Sequence, residues 1–281
     1  MSRLVLVTGA TGFVGRQVLR ALVEGGTLIR LVVRDTPGQQ FDEGAIEKVV
    51  RTPDVFAESA DWWTRTCKGV DTVVHIAWYA KPGKYLESPK NIDCLNGTLE
   101  LAKGAVRASV RRFVGVGTCA EYDLRAGFLE VDTPLRPLTP YAAAKAAAFL
   151  ALSQWLPREH VEFAWCRLFY LYGEGEDERR LVPYLHKRLA AGEPVELSAG
   201  NQIRDFIDVR SAGDMIAAVA AGTGEGVFNI CSGVPITVRQ LAERIADEYG
   251  RRDLLNFGAR PDNLFDPPCV VGIKSDVLNV R

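Results

Sequence analysis

The stretch LVLVTGATGFVGRQVLRALVEGG, residues 4–26, joins an apolar strand, a glycine turn and an amphipathic helix without a break. LVLVT is continuously apolar rather than alternating. A strand of that kind is buried on both faces, as in a parallel sheet covered by helices on both sides. The turn places Gly9, Gly12 and Gly15 between strand and helix. Glycine there permits a tight turn, lets backbone N–H groups approach a pyrophosphate, and allows close contact between helix and strand. The helix N-terminus adds partial positive charge. The stretch predicts the first strand-turn-helix unit of a dinucleotide-binding fold.

The same strand pattern recurs in LIRLVVR (28–34), EKVVRT (47–52), DTVVHIA (71–77), RRFVGVGT (111–118) and VEFAWCRLFYLYG (161–173). Helical stretches lie between them, ADWWTRTCKG, NIDCLNGTLELAKGAVRA and PYAAAKAAAFLALSQWL. This alternation predicts an α/β, Rossmann-like, doubly wound parallel sheet. From about residue 174 the pattern changes to polar loop, helix and short strands. Residues 1–173 are therefore expected to form the dinucleotide-binding domain. Residues 174–281 are expected to form a smaller, mainly substrate-binding lobe, with some segments returning to the first domain.

A chain of 281 residues, 47% hydrophobic and 25% charged, is long enough for one large α/β domain with an annex. Its net charge of −1 offers no sequence-wide attraction to nucleic acid or anionic membrane, and neither is expected as a partner. The N-terminal apolar run is too short for a secretory signal, and nowhere do about 18 apolar residues follow one another. A cytoplasmic location is expected. Six cysteines without C-x-x-C spacing and three histidines without ligand spacing predict reduced thiols and no metal.

Tyr141 and Lys145 stand four apart in PYAAAK and share one helix face. Thr118 closes the strand before that helix, so its hydroxyl and the Tyr/Lys face converge where open parallel sheets bind ligands. Lys145 is expected to favour the Tyr141 phenolate, drawing a pKa near ~10 toward working pH, and to hold a nicotinamide ribose. Tyr141 then exchanges a proton with a carbinol or carbonyl oxygen that Thr118 also hydrogen-bonds, while the cofactor does the redox chemistry. At the end of the second strand, LVVRDTP, a ribose-binding acid would fall on Val33, and Arg34 follows it. An arginine there pairs with a 2′-phosphate, so NADP is expected. NAD is the alternative, with Asp35 in the ribose role.

Seven motifs in order, TGATGFVG, DTVVHIA, VGVGTCAEYD, PYAAAK, RLFYLYGEGE, LSAGNQIRDFIDV and FNICSGVPITVRQLAERIA, resemble the extended short-chain dehydrogenases/reductases. That group contains NAD(P)-dependent nucleotide-sugar epimerases, dehydratases and ketoreductases. The resemblance implies a sheet of about seven strands, a homodimer, and a nucleoside-diphosphate sugar in the cleft between domain and lobe. It implies catalysis by Thr118, Tyr141 and Lys145. Cofactor contacts are implied at Gly9, Thr11, Gly12, Phe13, Val14, Arg34, Asp35, Ile76, Ala77, Trp78, Tyr141, Lys145 and Leu168. Substrate contacts are implied at Tyr79, Thr118, Cys119, Ala120, Tyr170, Arg204 and Arg260, the two arginines on the diphosphate.

Departures from the family narrow the expectation. Dehydratases of the group follow the threonine with an acidic pair, whereas here Cys119 and Ala120 follow it. Cys94, Trp78 and Tyr170 stand where relatives carry asparagine, alanine and asparagine. Glu121 replaces a small apolar residue of the same loop and is expected to be a solvated charge, with a pocket acid as the alternative. The expected activity is NADP-dependent reduction of a 4-keto-6-deoxy sugar nucleotide, with Tyr141 as general acid. The alternatives are a 4-epimerase that keeps NAD bound and a non-catalytic dinucleotide-sensing protein.

Overall fold

A computed structural model describes residues 3–35, 44–263 and 266–274. The elements run β1 (Leu4–Thr8), α1 (Phe13–Glu24), β2 (Leu28–Arg34), β3 (Ile46–Thr52), α2 (Ala60–Thr66), β4 (Thr72–His75) and α3 (Lys90–Arg107). They continue with β5 (Arg112–Thr118), β6 (Phe128–Leu129), α4 (Pro140–Trp155), β7 (Glu162–Leu168), β8 (Tyr170–Tyr172), α5 (Leu181–Ala190) and β9 (Val195–Leu197). The last are β10 (Ile203–Asp208), α6 (Val209–Ala221), β11 (Gly226–Ile230), β12 (Pro235–Thr237), α7 (Val238–Glu248), β13 (Leu255–Phe257) and β14 (Cys269–Gly272).

Seven parallel strands form the main sheet in the order β11-β7-β5-β4-β1-β2-β3. The order reverses between β1 and β4, the place where such sheets open a ligand crevice at their strand ends. Alternation along β1 shows why its residues are apolar without interruption. Val5 and Val7 enter one core layer with Val18 and Leu22 of α1 and Ile216 of α6, while Leu6 enters the other with Trp63, Leu101 and Leu152. Arg112, fully buried at the start of β5, ties the sheet to its surroundings. It pairs with Glu162 at 3.0 Å and donates to the carbonyls of Val219 and Gly224.

The run expected as one strand over 161–173 is two strands. β7 stays in the main sheet to Leu168. The Phe169 N–H then donates to the Ile230 carbonyl at 3.3 Å, and the Phe169 ring turns into a separate apolar cluster with Cys119, Tyr122 and Cys231. β8 leaves to pair with β10 in a second sheet built from β12, β10, β14 and β6. The chain thus crosses residue 173 in both directions. β6 and β8 join the later strands, and β11 with α6 joins the main sheet and packs on α1. A third cluster, formed by α5, α7, β9 and β13, carries its own small core around Leu185 and Ala242.

Beneath the crevice, β1, β4 and α3 are joined by a directed hydrogen-bond relay. The Thr98 hydroxyl donates to the Cys94 carbonyl at 2.7 Å, so its oxygen is the acceptor for His75 Nε2–H at 2.9 Å. His75 Nδ1 then accepts from the Thr8 hydroxyl at 2.8 Å, and Thr8 Oγ1 accepts the Ala77 N–H at 3.3 Å. This relay holds His75 neutral, and burial pushes its pKa down to about 3. Between pH 6.5 and 3 the unfolded chain binds a proton that the folded one refuses. Stability is therefore lost as pH falls, by about 1.4 kcal/mol per pH unit from this group. Urea midpoints measured from pH 7 to 5 should fall less steeply in His75→Gln than in the wild type. Equal slopes would remove His75 as the cause.

Candidate active site

At the sheet edge, Gly9 has φ +77° and lies so close to the end of β4 that a Cβ on it would stand 2.6 Å from the Ala77 nitrogen. A Cβ on Gly15 would stand 2.0 Å from the Gly9 carbonyl oxygen. Both positions admit only glycine, the first for conformation and space, the second for space alone. Gly12 is the N-cap of α1, and among the described residues no side chain caps it. Thr11 and Gly12 are exposed, Phe13 and Val14 half-buried, and the first turn contains no acid. N–H groups at a positive helix end suit an anion, and at Gly12, where a Cβ would meet only the Gly9 carbonyl oxygen at 3.4 Å, the missing side chain leaves room for a pyrophosphate to approach, so the loop fits a dinucleotide. Arg34 and Asp35 are both exposed where β2 ends, and the Asp35 N–H is held by the Thr52 carbonyl at 2.9 Å.

The catalytic expectation converges in space. Thr139 caps α4 by accepting the Ala142 N–H at 3.2 Å, and Pro140 begins the helix. This start places Tyr141 in the first turn, with its hydroxyl toward the Thr118 side chain at the end of β5. One turn on, buried Lys145 donates from Nζ to the Val116 carbonyl at 2.5 Å and lies 3.8 Å from the centre of the Trp78 ring. Trp78 is itself fixed by donating to Asn91 Oδ1 at 2.9 Å. The half-buried ends of β4 and β7, Ile76, Ala77 and Leu168, lie along the same edge, with Thr118 and Leu168 in register.

The protonation state differs from the expectation. Burial pushes Lys145 down to about 7, and the Glu121 charge opposes that fall. Tyr141 is raised above the usual tyrosine value, first by burial and then by Tyr85 and Glu121, while the Thr118 hydrogen bond lowers it. Burial outweighs the expected pull of Lys145 toward a phenolate, and Lys145 Nζ is itself engaged with the Val116 carbonyl and the Trp78 ring. Tyr141 stands as a neutral hydroxyl.

Among the residues expected to meet the substrate, the Tyr79 N–H donates to Cys94 Sγ at 3.4 Å, and Cys119 and Tyr170 share one apolar cluster. Arg204 is buried, lies over the Tyr170 ring at 5.2 Å, and pairs with Asp266 at 2.7 Å. Arg260 is exposed and bonds the Tyr184 hydroxyl at 3.1 Å. Among the described residues no contact brings it to Arg204. Glu121 is not solvated as expected. It is fully buried, paired with Arg167 at 2.7 Å, and it accepts the Thr118 N–H at 2.8 Å. Tyr85, whose ring stands perpendicular to Tyr141 at 4.8 Å, also escaped sequence reasoning, having no motif to mark it. Among the described residues there is no cluster of metal-ligating side chains and no helix long and apolar enough to cross a membrane.

Comparison with known proteins agrees with this geometry. The dTDP-6-deoxy-L-talose 4-dehydrogenase (NAD(+)) of Aggregatibacter actinomycetemcomitans is 24% identical over 96% of this chain and 99% of its own. A UDP-N-acetylglucosamine 4-epimerase from Methanobrevibacter ruminantium, in complex with UDP-N-acetylmuramic acid, superposes with a TM-score of 0.85 at 21% identity, covering 100% of this chain and 93% of that one. A dTDP-glucose 4,6-dehydratase double mutant from Streptomyces venezuelae, with NAD and DAU bound, gives 0.81 at 24% identity, covering 97% and 89%. The family model for the NAD dependent epimerase/dehydratase family matches residues 5–231. A glycine cradle, a convergent Thr/Tyr/Lys set and a match over most of the chain lead to one conclusion: the protein is an enzyme of the NAD-dependent epimerase/dehydratase family, the extended short-chain dehydrogenases/reductases.

Proposed function

We propose that the protein reduces a 4-keto-6-deoxy sugar nucleotide with NADP as its cofactor. The observation that carries this reading is the gathering of Thr118, Tyr141 and Lys145 at the strand edge beside the glycine turn, around the Trp78 ring, with burial keeping the Tyr141 hydroxyl protonated. A carbonyl becoming an alcohol needs a proton donor, and a tyrosine held protonated by burial is one. The nicotinamide of the bound cofactor supplies the hydride. Tyr141 donates its proton to the ketone oxygen, Thr118 hydrogen-bonds the same oxygen and orients it, and Lys145 stands one helical turn from Tyr141. Dehydration is disfavoured by the loop after Thr118. Burial pushes the Cys119 thiol up to about 12, Ala120 has no acid, and Glu121 is engaged by Arg167.

A second reading rests on Asp35, exposed beside Arg34 and able to take the ribose hydroxyls of NAD. It makes the protein an NAD-linked 4-dehydrogenase or 4-epimerase on the same Thr/Tyr/Lys set. The dehydrogenase relative named above carries NAD(+) in its name. Turnover of a nucleotide-sugar panel separates the readings, with NADPH and NADH oxidation and product stereochemistry followed together. Net NADPH consumption supports the reductase, and epimerised product without net cofactor consumption overturns it.

Three substitutions test the assignments. Tyr141→Phe keeps the ring but removes the proton donor. It should lower kcat by about 10²–10⁴ with the melting temperature unchanged, and full activity would reduce Tyr141 to a packing residue. Arg34→Ala should weaken NADP by about tenfold or more, on the order of 1.5–3 kcal/mol for a charge-assisted phosphate pair, and leave NAD unaffected. Equal losses in the two titrations would end the NADP reading. Arg204→Met keeps the stem over Tyr170 but removes the charge. It should raise KM for the nucleotide sugar about tenfold, near 1.4 kcal/mol, with cofactor affinity constant; an unchanged KM would make the arginine structural.

A further inference from the structure

Between β5 and β7 lies a buried polar cluster that the proposed reaction does not use. The Glu121 carboxylate is completely buried and accepts from three donors: Thr118 N–H at 2.8 Å, Trp165 Nε1–H at 3.1 Å and Arg167 Nε–H at 2.7 Å. The Arg167 guanidinium is held between the rings of Tyr122, at 4.3 Å, and Phe149, at 4.5 Å. The Trp165 indole lies across two glycines of β5. A Cβ on Gly115 would stand 2.3 Å from the indole ring, and one on Gly117 would stand 2.2 Å from its Nε1 and 2.3 Å from Glu121 Oε1. Two glycines, a tryptophan, an arginine and a glutamate from three segments thus converge on one carboxylate, and that carboxylate reaches one peptide N–H.

Desolvating an ion pair of this kind is costly. Apolar side chains of the same volume often stabilise a core as well or better, so fold stability alone does not account for the cluster. Its location does. Glu121 and Thr118 close a capping box around a single 3₁₀ turn, in which Thr118 Oγ1 accepts the Ala120 N–H at 3.3 Å while Glu121 holds the Thr118 N–H. The backbone of Thr118 is thereby fixed from behind, and its hydroxyl is left facing Tyr141.

We propose that Glu121, clamped by Arg167 and Trp165, is the positioning residue of Thr118, setting where the Thr118 hydroxyl meets Tyr141 and the substrate oxygen. This inference rests on the reading of Thr118 and Tyr141 given above. The negative charge of Glu121 also acts on both neighbours in the direction the reduction requires, holding Tyr141 and Lys145 toward their protonated forms.

The test is a double-mutant cycle in kcat, with dTDP-4-keto-6-deoxyglucose and NADPH as the probe pair. Where the panel finds a different sugar or cofactor turned over, that pair replaces them. Glu121→Gln should lower kcat about 10- to 100-fold while KM for the cofactor changes less than about twofold. In a Thr118→Val background the same substitution should cost less than about threefold, because the group it positions is gone. Losses that multiply across the two sites, or a Glu121→Gln enzyme within about twofold of wild type, overturn the proposal. If Glu121→Gln does not fold, Trp165→Phe runs the same cycle. It keeps a ring across Gly115 and Gly117 and deletes the N–H donor, and a loss of about threefold or more is expected only when Thr118 is present. A fully active Thr118→Val enzyme would sink the reading of the site and this inference with it. An impaired Thr118→Val enzyme with additive losses would sink the inference alone.

Discussion

The constraint on which the rest depends is the contact between the turn after β1 and the end of β4, where Gly9 lies against the Ala77 peptide. That contact holds the glycine turn against the end of β4, and from Trp78, which follows Ala77, the site is one packed sequence of groups. Trp78 is pinned by Asn91, its ring meets the Lys145 ammonium at 3.8 Å, and it stands edge-on to Tyr141 at 6.4 Å. Beneath it, the Thr8–His75–Thr98 relay fixes the height of β4 relative to β1 and α3. The glycine turn and the Thr118, Tyr141 and Lys145 side chains are therefore positioned by a single packing arrangement. A methyl group at residue 9 would move both, and displacements of about 1 Å at a reacting centre are enough to cost two orders of magnitude in rate.

Burial gives this site its acid–base character. Desolvation drives Lys145 and Tyr141 in opposite directions on the pH scale but toward the same neutral form, and Glu121 behind the β5 turn opposes the loss of charge on the lysine. The result is a tyrosine that holds its proton and a lysine that titrates near neutrality. That balance supports a role in delivering protons to an oxygen. A phenolate awaiting one would need the lysine charge aimed at the tyrosine, whereas here it is aimed at Val116 and Trp78.

Much of this was legible in the chain. Uninterrupted apolar runs marked β1, β2, β4, β5 and β7 because burial on both faces removes polar alternation; β3 is an exposed edge strand, and β11 came from the stretch expected mainly in the lobe. The glycine triplet and the Thr118, Tyr141, Lys145 set come together at the crevice. The break between β7 and β8 was not legible, since VEFAWCRLFYLYG is apolar whether the strand keeps its partners or changes them. The second sheet gathers β6, β8, β10, β12 and β14 from across the chain, and local periodicity carries no record of such pairing. Glu121 was misread for the same reason. Its partners Trp165 and Arg167 lie 44 and 46 residues away, beyond any window of sequence pattern. One signal was present: an arginine in a strand buried on both faces requires a buried counter-charge, and Arg167 in WCRLF is such an arginine.

The loop TCAE also shows how one fold can host several reactions with the same threonine, tyrosine and lysine. In a 3₁₀ turn each residue is rotated by about 120° from the one before it. An acid directly after Thr118 and an acid three places after it therefore face different surroundings. The family resemblance places dehydratase acids at the positions held here by Cys119 and Ala120. In this chain the only acid of the turn is Glu121, which faces inward to Arg167 and Trp165. Moving the carboxylate along the turn places its charge behind the peptide of Thr118, so the two positions where dehydratases carry acids hold none, while the Thr118 backbone is braced from within.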